Sequence, residues 1–261
     1  MDLHGLASFA DKADGFLSKI ILAFAILLLA FGAYVIWDNL SIEQGAVDND
    51  FLQYRPIPGR PETYSLRDLK KINPDVVGWI TVKGTHIDYP VVRGKDNLEY
   101  INKNVKGDFS YSGSIFLDSA CDEELKDPYL LLYGHHMSGN GMFSDVSRFL
   151  SQEYLDTHRH GYLFGDGYMR PIIFFACVAT SASDAQIYNV RSIEAEGTAL
   201  LLRYVRQKAK TYTGDPVTSG DIIALSTCAE ATSNGRYVLL GKLGPSQGET
   251  DTRHALTQEP R

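Results

Sequence analysis

From Ile20 to Trp37 the chain reads IILAFAILLLAFGAYVIW, a run with no charged side chain. As a helix it is roughly 27 Å long at 1.5 Å per residue, close to the roughly 30 Å hydrocarbon core of a bilayer. The run therefore reads as one membrane-spanning helix, and the remaining residues must build their core elsewhere. Tyr34 and Trp37 stand at its far end, where interfacial aromatics belong. Lys12 and Lys19 precede it, and no Lys or Arg follows until Arg55. That asymmetry predicts a cytoplasmic N-terminus and an extracellular bulk. A cleaved signal peptide has a shorter apolar region and a small-residue cleavage site, and no clear A-x-A site follows here. An uncleaved anchor is thus expected in preference to a signal peptide or a buried core helix.

The chain has 261 residues, 44% of them apolar, which suits one domain with a real core plus appendages. A net charge of −7 and a pI of about 5.5, with no basic face, argue against nucleic acid as a partner. Cys121, Cys177 and Cys228 are widely spaced and odd in number. They show no metal-ligand spacing and cannot all pair, so at least one thiol is free unless another chain takes it. No metal or cofactor is expected.

The predicted organisation is a cytoplasmic segment 1–19, the anchor 20–37, an extracellular stalk 38–62, a folded domain 63–244 and a disordered polar tail 245–261. The stalk is acidic, then carries Pro56, Pro58 and Pro61; the membrane helix continuing into it is one expectation. SLRDLKKIN (65–73) reads as a short helix with Ser65 as its N-cap, ended by Asn73-Pro74. Strands are predicted over 76–84, 87–94, 113–118, 129–137, 170–179, 221–228 and 236–243, with Pro90 placing the second at an edge or bulge. Many short strands with Gly-, Asn- and Asp-rich turns mean a β-sandwich or a barrel. Helices are predicted over 142–151 and 192–210. The longer has Glu194 and Glu196 in its first turn and Arg206, Lys208 and Lys210 at its end, as the helix dipole favours.

One cysteine stands out by position. Cys228 closes the apolar run IIALSTC, and Arg236 opens the next. This is hairpin spacing, and it sets a guanidinium beside a thiol emerging at a strand end. A fixed cation lowers a thiol's pKa and can hold an oxyanion. A half-buried structural thiol beside a surface arginine fits the same residues, and the two readings stand together here. Cys121 lies in acidic SACDEE, which disfavours a thiolate. Cys177, in IIFFACVA, reads as a small buried hydrophobe.

A cysteine nucleophile needs an acid–base partner. His4 and His254 lie in the terminal segments, His158 and His160 in a polar stretch read as solvated surface, and His86 at a turn. His135 and His136, in YGHHM, follow an apolar strand and a glycine, at a strand end that reaches a groove. Adjacent residues on an extended chain point to opposite faces, so one of the two faces a given site. A hydrogen-bonded turn histidine is the alternative.

Taken together, LSTC at 225–228, RYVLLGKL from Arg236, and YGHHM followed by GMFSDVSRF resemble the sortases, membrane-anchored cysteine transpeptidases of Gram-positive bacteria. INPDVVGWITVKGTHIDYPVV (72–92) and GSIFLD are weaker matches. The long helix between the strand at 170–179 and the cysteine strand points to the class B branch. The resemblance implies a mainly β fold, an eight-stranded barrel with a few peripheral helices, preceded by the N-terminal transmembrane helix. It implies Cys228 as nucleophile, His135 as acid–base residue and Arg236 as stabiliser of the oxyanion or positioner of substrate. Tyr133, Ser226 and Thr227 would line the substrate groove. The implied reaction cleaves a C-terminal sorting signal of a surface protein through a thioacyl-enzyme and transfers the acyl group to an amine. The acceptor would be a cell-wall precursor, which anchors proteins, or a pilin lysine, which polymerises them. A plain cysteine hydrolase and a non-catalytic surface scaffold are the competing readings.

Overall fold

The structure is a computed structural model that describes residues 3–46, 49–56, 66–137, 140–214, 217–228 and 234–248; for residues 3–15, 38–46 and 49–50 and for Cys228 it describes the backbone alone. The Ser65 cap, Pro58 and Pro61, the loop 229–233 and the tail from 249 lie outside these residues. The chain divides into two units, 1–44 and 45–261. The first is the long helix α1 (Leu3–Ala46), which carries the apolar stretch Phe16–Trp37 with none of it buried. By length and composition that stretch is a candidate membrane span. The helix does continue past the span, as far as Ala46.

The second unit is built around strands that are apolar on both faces. β1 (Val76–Val82) is buried throughout, and β4 (Tyr129–Tyr133) is buried except at its last residue. Such continuous apolar runs suit strands enclosed on both sides. With β2 (Asp88–Val92), β3 (Ile115–Leu117), β5 (His160–Gly165), β6 (Tyr168–Ser181), β8 (Ile222–Cys228) and β9 (Gly235–Leu243) they close a ring. Its order is β6-β5-β1-β2-β3-β4-β8-β9, with β9 returning to β6. This is the closed eight-stranded barrel that the resemblance implies. β7 (Ala209–Tyr212) and β10 (Gln247–Gly248) add to the long strand β6.

Two pairings in the ring are parallel, β2–β3 and β4–β8. The second matters most here. It runs from Tyr129↔Ile222 to Tyr133↔Ser226 in unbroken register. Side chains inside the ring, among them Leu130, Leu132, Phe174, Ile223 and Leu239, make the main core. A second cluster around Trp79 and Phe164 lies under α2 (Leu66–Ile72) and the 3₁₀ segment Asn49–Tyr54. Pro90 sits in the stretch of β2 that pairs only with β1, because β3 begins opposite Val91. Its missing N–H therefore breaks no ladder bond on the β3 side.

Three local expectations change. The predicted helix at 192–210 is α5 (Val190–Glu196) and α6 (Thr198–Lys208), broken at Gly197, whose φ of +81° is one that glycine adopts at little cost. Glu194 and Glu196 therefore sit at the end of α5 rather than at the start of a dipole, and Ala209 and Lys210 belong to β7. The stretch at 142–151 is a 3₁₀ segment, Ser144–Leu150, followed by α3 (Gln152–Thr157). Finally, the stretch after His158 holds strand β5, joined to β6 through Asp166-Gly167, with Gly167 at φ +76°. That Asp-Gly is a hairpin turn signal. His160 is exposed as expected, whereas His158 stacks on Tyr154 at 3.9 Å between ring centres.

Candidate active site

β8 and β9 form an antiparallel pair whose last partners are Cys228 and Arg236. Arg236 also sits opposite Thr180 of β6, so its backbone is held from both sides. Its side chain is half-buried, and Nη1 donates to the Gly235 carbonyl at 2.8 Å. Asn234, just before it, is tied to Ser181 and accepts the Ala182 N–H, which closes the β6–β9 end of the site.

On the other side of β8, the parallel register ends with Tyr133 opposite Ser226, and Gly134 N–H donates to the Ser226 carbonyl at 3.1 Å. Two residues further along each chain stand His135 and Cys228. β4 and its paired register end at Tyr133, so both stop two residues short of His135 and Cys228. Gly134 has no room for a side chain: an added Cβ would lie 2.5 Å from Ile115 Cδ1 and 2.8 Å from the Phe143 ring. The chain thus packs tightly at the residue that aims His135. The His135 carbonyl accepts the Phe143 N–H at 3.1 Å, and His136 bridges to Met142.

His135 is half-buried, with Nε2 2.8 Å from the carbonyl oxygen of Ile101. A carbonyl only accepts, so Nε2 carries the proton and donates. In the neutral ring Nδ1 is then the basic nitrogen. A fixed tautomer suits a residue that takes a proton from one defined direction.

Tyr133 is half-buried, and its hydroxyl donates to Asp118 Oδ2 at 2.8 Å. Burial and then the Asp118 carboxylate push its pKa well up, so it stays a neutral donor. Its ring stacks between Phe116 at 5.2 Å and Tyr188 at 6.3 Å. Ser226 and Thr227 are buried, at 1% and 2% exposure. The Ser226 hydroxyl pairs with Tyr188 OH at 2.8 Å, and Thr227 Oγ1 has no partner among the described residues. Tyr188, on the short helix α4 (Ala185–Tyr188), and Asp118 therefore join the site's supporting layer, and neither was singled out from sequence. α4 spans only Ala185–Tyr188 and Asp118 follows a three-residue strand, so neither had a periodic signal to find.

The other two cysteines are enclosed. Burial, then the nearby carboxylates of Asp118, Asp127 and Glu194, push the Cys121 thiol up to about 12, and burial does the same for Cys177. Neither is a nucleophile at neutral pH. Cys121, Asp127 and Glu194 bring their ligand atoms within 4.8 Å of one another, but burial and the Asp127 carboxylate raise Glu194 to about 7. That leaves the cluster with a carboxyl that holds its proton near neutrality.

No protein-family model matches the chain. Among characterised proteins, the chain is 34% identical over 182 residues to Sortase B of Listeria monocytogenes, covering 68% of this chain and 73% of that protein. It is 25% identical over 236 residues to Sortase B of Staphylococcus aureus, covering 87% and 96%. Among solved structures it superposes on a Streptococcus pyogenes class B sortase involved in pilus biogenesis with a TM-score of 0.62. That pair shares 38% identity over 68% of this chain and 96% of the other.

Proposed function

The chain belongs to the sortases and is of the class B type, and from that membership we propose that it is a membrane-anchored transpeptidase that joins sorting-signal-bearing surface proteins to an amine on the cell wall. The observation that supports this most is the pairing of β8, whose partners run to Tyr133↔Ser226 on the β4 side, two residues before His135 and Cys228, and to Cys228↔Arg236 on the β9 side. In this reading the three residue types needed for acyl transfer come from three neighbouring strand ends of the barrel.

In this reading the Cys228 thiol gives its proton to His135 Nδ1, and the resulting thiolate attacks the carbonyl of the scissile threonine in the sorting signal. Arg236 holds the negative oxygen of the tetrahedral intermediate. As the C–N bond breaks, His135 gives its proton to the leaving amine, and the acyl group remains on sulfur as a thioester. The incoming amine then attacks that carbonyl, the C–S bond breaks, and His135 takes the amine's proton. Tyr133, with Ser226 and Thr227 behind it, shapes the groove on the Tyr188 side. Phe16–Trp37 spans the membrane with the N-terminus inside, as Lys12 and Lys19 imply, so the barrel works outside the cell.

A second acceptor, a pilin lysine, is favoured by one observation, the pilus role of the Streptococcus pyogenes relative. The test of the whole reading is intact-mass analysis of the protein mixed with a library of sorting peptides. An adduct of acyl mass on Cys228, lost in Cys228→Ala, is expected. Its absence across the library overturns the assignment. Release of the acyl group by water alone, unchanged by added amine, overturns transfer in favour of hydrolysis.

A further inference from the structure

One cavity in the barrel unit is not used by the mechanism above. It encloses about 310 Å³, which is large enough for one bulky side chain and its neighbour. Its floor and walls are largely apolar, with Phe51, Trp79, Tyr89, Ile115 and Met142 among them, and Ser110 and Ser112 stand on one side. None of its lining residues comes from β8 or β9, or from β4 between them and β3. It lies instead across β4 from the cysteine strand, along β1, β2 and β3.

The cavity also touches the histidine's own supports. An added Cβ on lining residue Gly113 would sit 2.3 Å from the Ile101 carbonyl, the group that fixes His135 Nε2. Lining residue Ile115 packs against Gly134, and lining residue Met142 bridges to His136. Met142 itself holds a φ of +56°, rare for a side chain of its size, with its N–H donated to Tyr89 OH at 2.9 Å. The cavity wall and the segment 134–136 are thus one packed unit, and β4, which leads into that segment, lies between β3 and the cysteine strand.

Position then limits what the cavity can hold. In acyl transfer through sulfur, the leaving amine and then the incoming amine exchange a proton with the histidine, and the acyl part stays on the cysteine side. A cavity across β4 from the cysteine strand lies where the amine-bearing molecule must extend. The cavity mouth supplies a further sign of binding. Phe109 lines it and is 68% exposed, and its ring meets Tyr111, 63% exposed, edge-on at 4.9 Å. Aromatic rings left in water at the lip of an apolar cavity mark a contact surface.

We propose that this cavity is the acceptor subsite: it takes an apolar or aromatic side chain of the peptide that carries the incoming amine. The inference rests on the reading of Cys228 and His135 given above. It implies an acceptor with a bulky residue near its amine rather than a bare glycine bridge. During transfer the amine nitrogen bonds to the thioester carbonyl, the C–S bond breaks, the sulfur leaves as thiolate and His135 takes the proton.

The experiment uses the full chain, charged with acyl group from a sorting peptide, and follows release by two peptide amines, triglycine and glycyl-phenylalanine amide. The aromatic acceptor should be preferred by about tenfold in kcat/KM, the factor that burying one apolar side chain supplies. Ser110→Trp, which fills the cavity, and Phe109→Ala, which removes its lip, should each bring that ratio towards one. Because the ratio is internal to each protein, partial misfolding lowers both rates and leaves it unmoved. Equal rates for the two acceptors in the wild-type chain, or a preference that survives both variants, would overturn the subsite. Failure to form any acyl-enzyme on Cys228 would instead strike at the catalytic reading beneath it.

Discussion

Replacing Gly134 with alanine is a sharp test of how the site is held together. The new methyl group would meet Ile115 Cδ1 at 2.5 Å and two Phe143 ring atoms at 2.8 Å, where ordinary contact begins near 3.4 Å. Ile115 is 1% exposed and Phe143 0%, so neither has open space to move into. Overpacking of this kind costs about 1–3 kcal/mol. For a domain of this size, 2 kcal/mol lowers the melting temperature by roughly 4–8 °C. The strain falls beside His135, whose carbonyl is bonded to the Phe143 N–H. A displacement of about 1 Å in a catalytic group can cost on the order of a hundredfold in rate. The expected result is therefore a lower melting temperature together with a larger loss in single-turnover acylation than unfolding alone explains. Ile115→Val in the same chain removes Cδ1, the nearest atom of the clash, and should recover part of both. An unchanged melting temperature and acylation rate in Gly134→Ala would refute the claim that packing at this glycine aims the histidine.

Other consequences follow from the same structure. Glu194, raised from its ordinary 4.5 to about 7 by burial and then by Asp127, holds its proton more tightly folded than unfolded. Its stabilisation is full below 4.5 and is lost as pH climbs through about 7. Glu194→Gln should therefore flatten the fall in melting temperature across that window; an identical fall in the variant would remove Glu194 as its cause. Iodoacetamide should modify the native protein once, at Cys228, with Cys121 and Cys177 labelled only after denaturation; rapid native labelling of either would contradict their burial. Tyr188→Phe and Ser226→Ala should each cost about 1 kcal/mol, and the double variant less than their sum, because one hydrogen bond joins them. Strict additivity in denaturant melts would mean that the pair is not coupled. Arg236→Lys should lose most of the acylation rate, since a point charge does not replace a planar fork; near-full activity would show that charge alone suffices.

Short-range features were legible in the chain as written. The apolar run at 20–37 specifies a helix with no buried face, because nothing polar interrupts it. The spacing of Cys228 and Arg236 specifies a hairpin, and the two are the last partners of β8 and β9. Burial of Cys177 followed from its neighbours, which are apolar on both sides. Two of the three local differences turn on a glycine: Gly197 breaks a helix that apolar periodicity alone would run through, and Gly167 turns the hairpin that joins β5 to β6. Motif resemblance reached further, to His135, but supplied no reason for its placement.

That reason is tertiary. A parallel pairing needs a long crossover, and between β4 and β8 the chain passes through β5, β6, β7 and four helices before it returns. No local periodicity encodes such a return; it follows from closing the barrel so that both faces of apolar strands leave water. Closure is what sets Tyr133 level with Ser226, gives Ser226 its hydrogen bond to Tyr188, and leaves a cavity along β1, β2 and β3. The chain by itself determined the hairpin that pairs Cys228 with Arg236 and which helix suits a membrane. Only the closed sheet decided that Tyr133 pairs with Ser226 beside the Cys228–Arg236 pair, because that approach depends on the register of strands far apart in sequence.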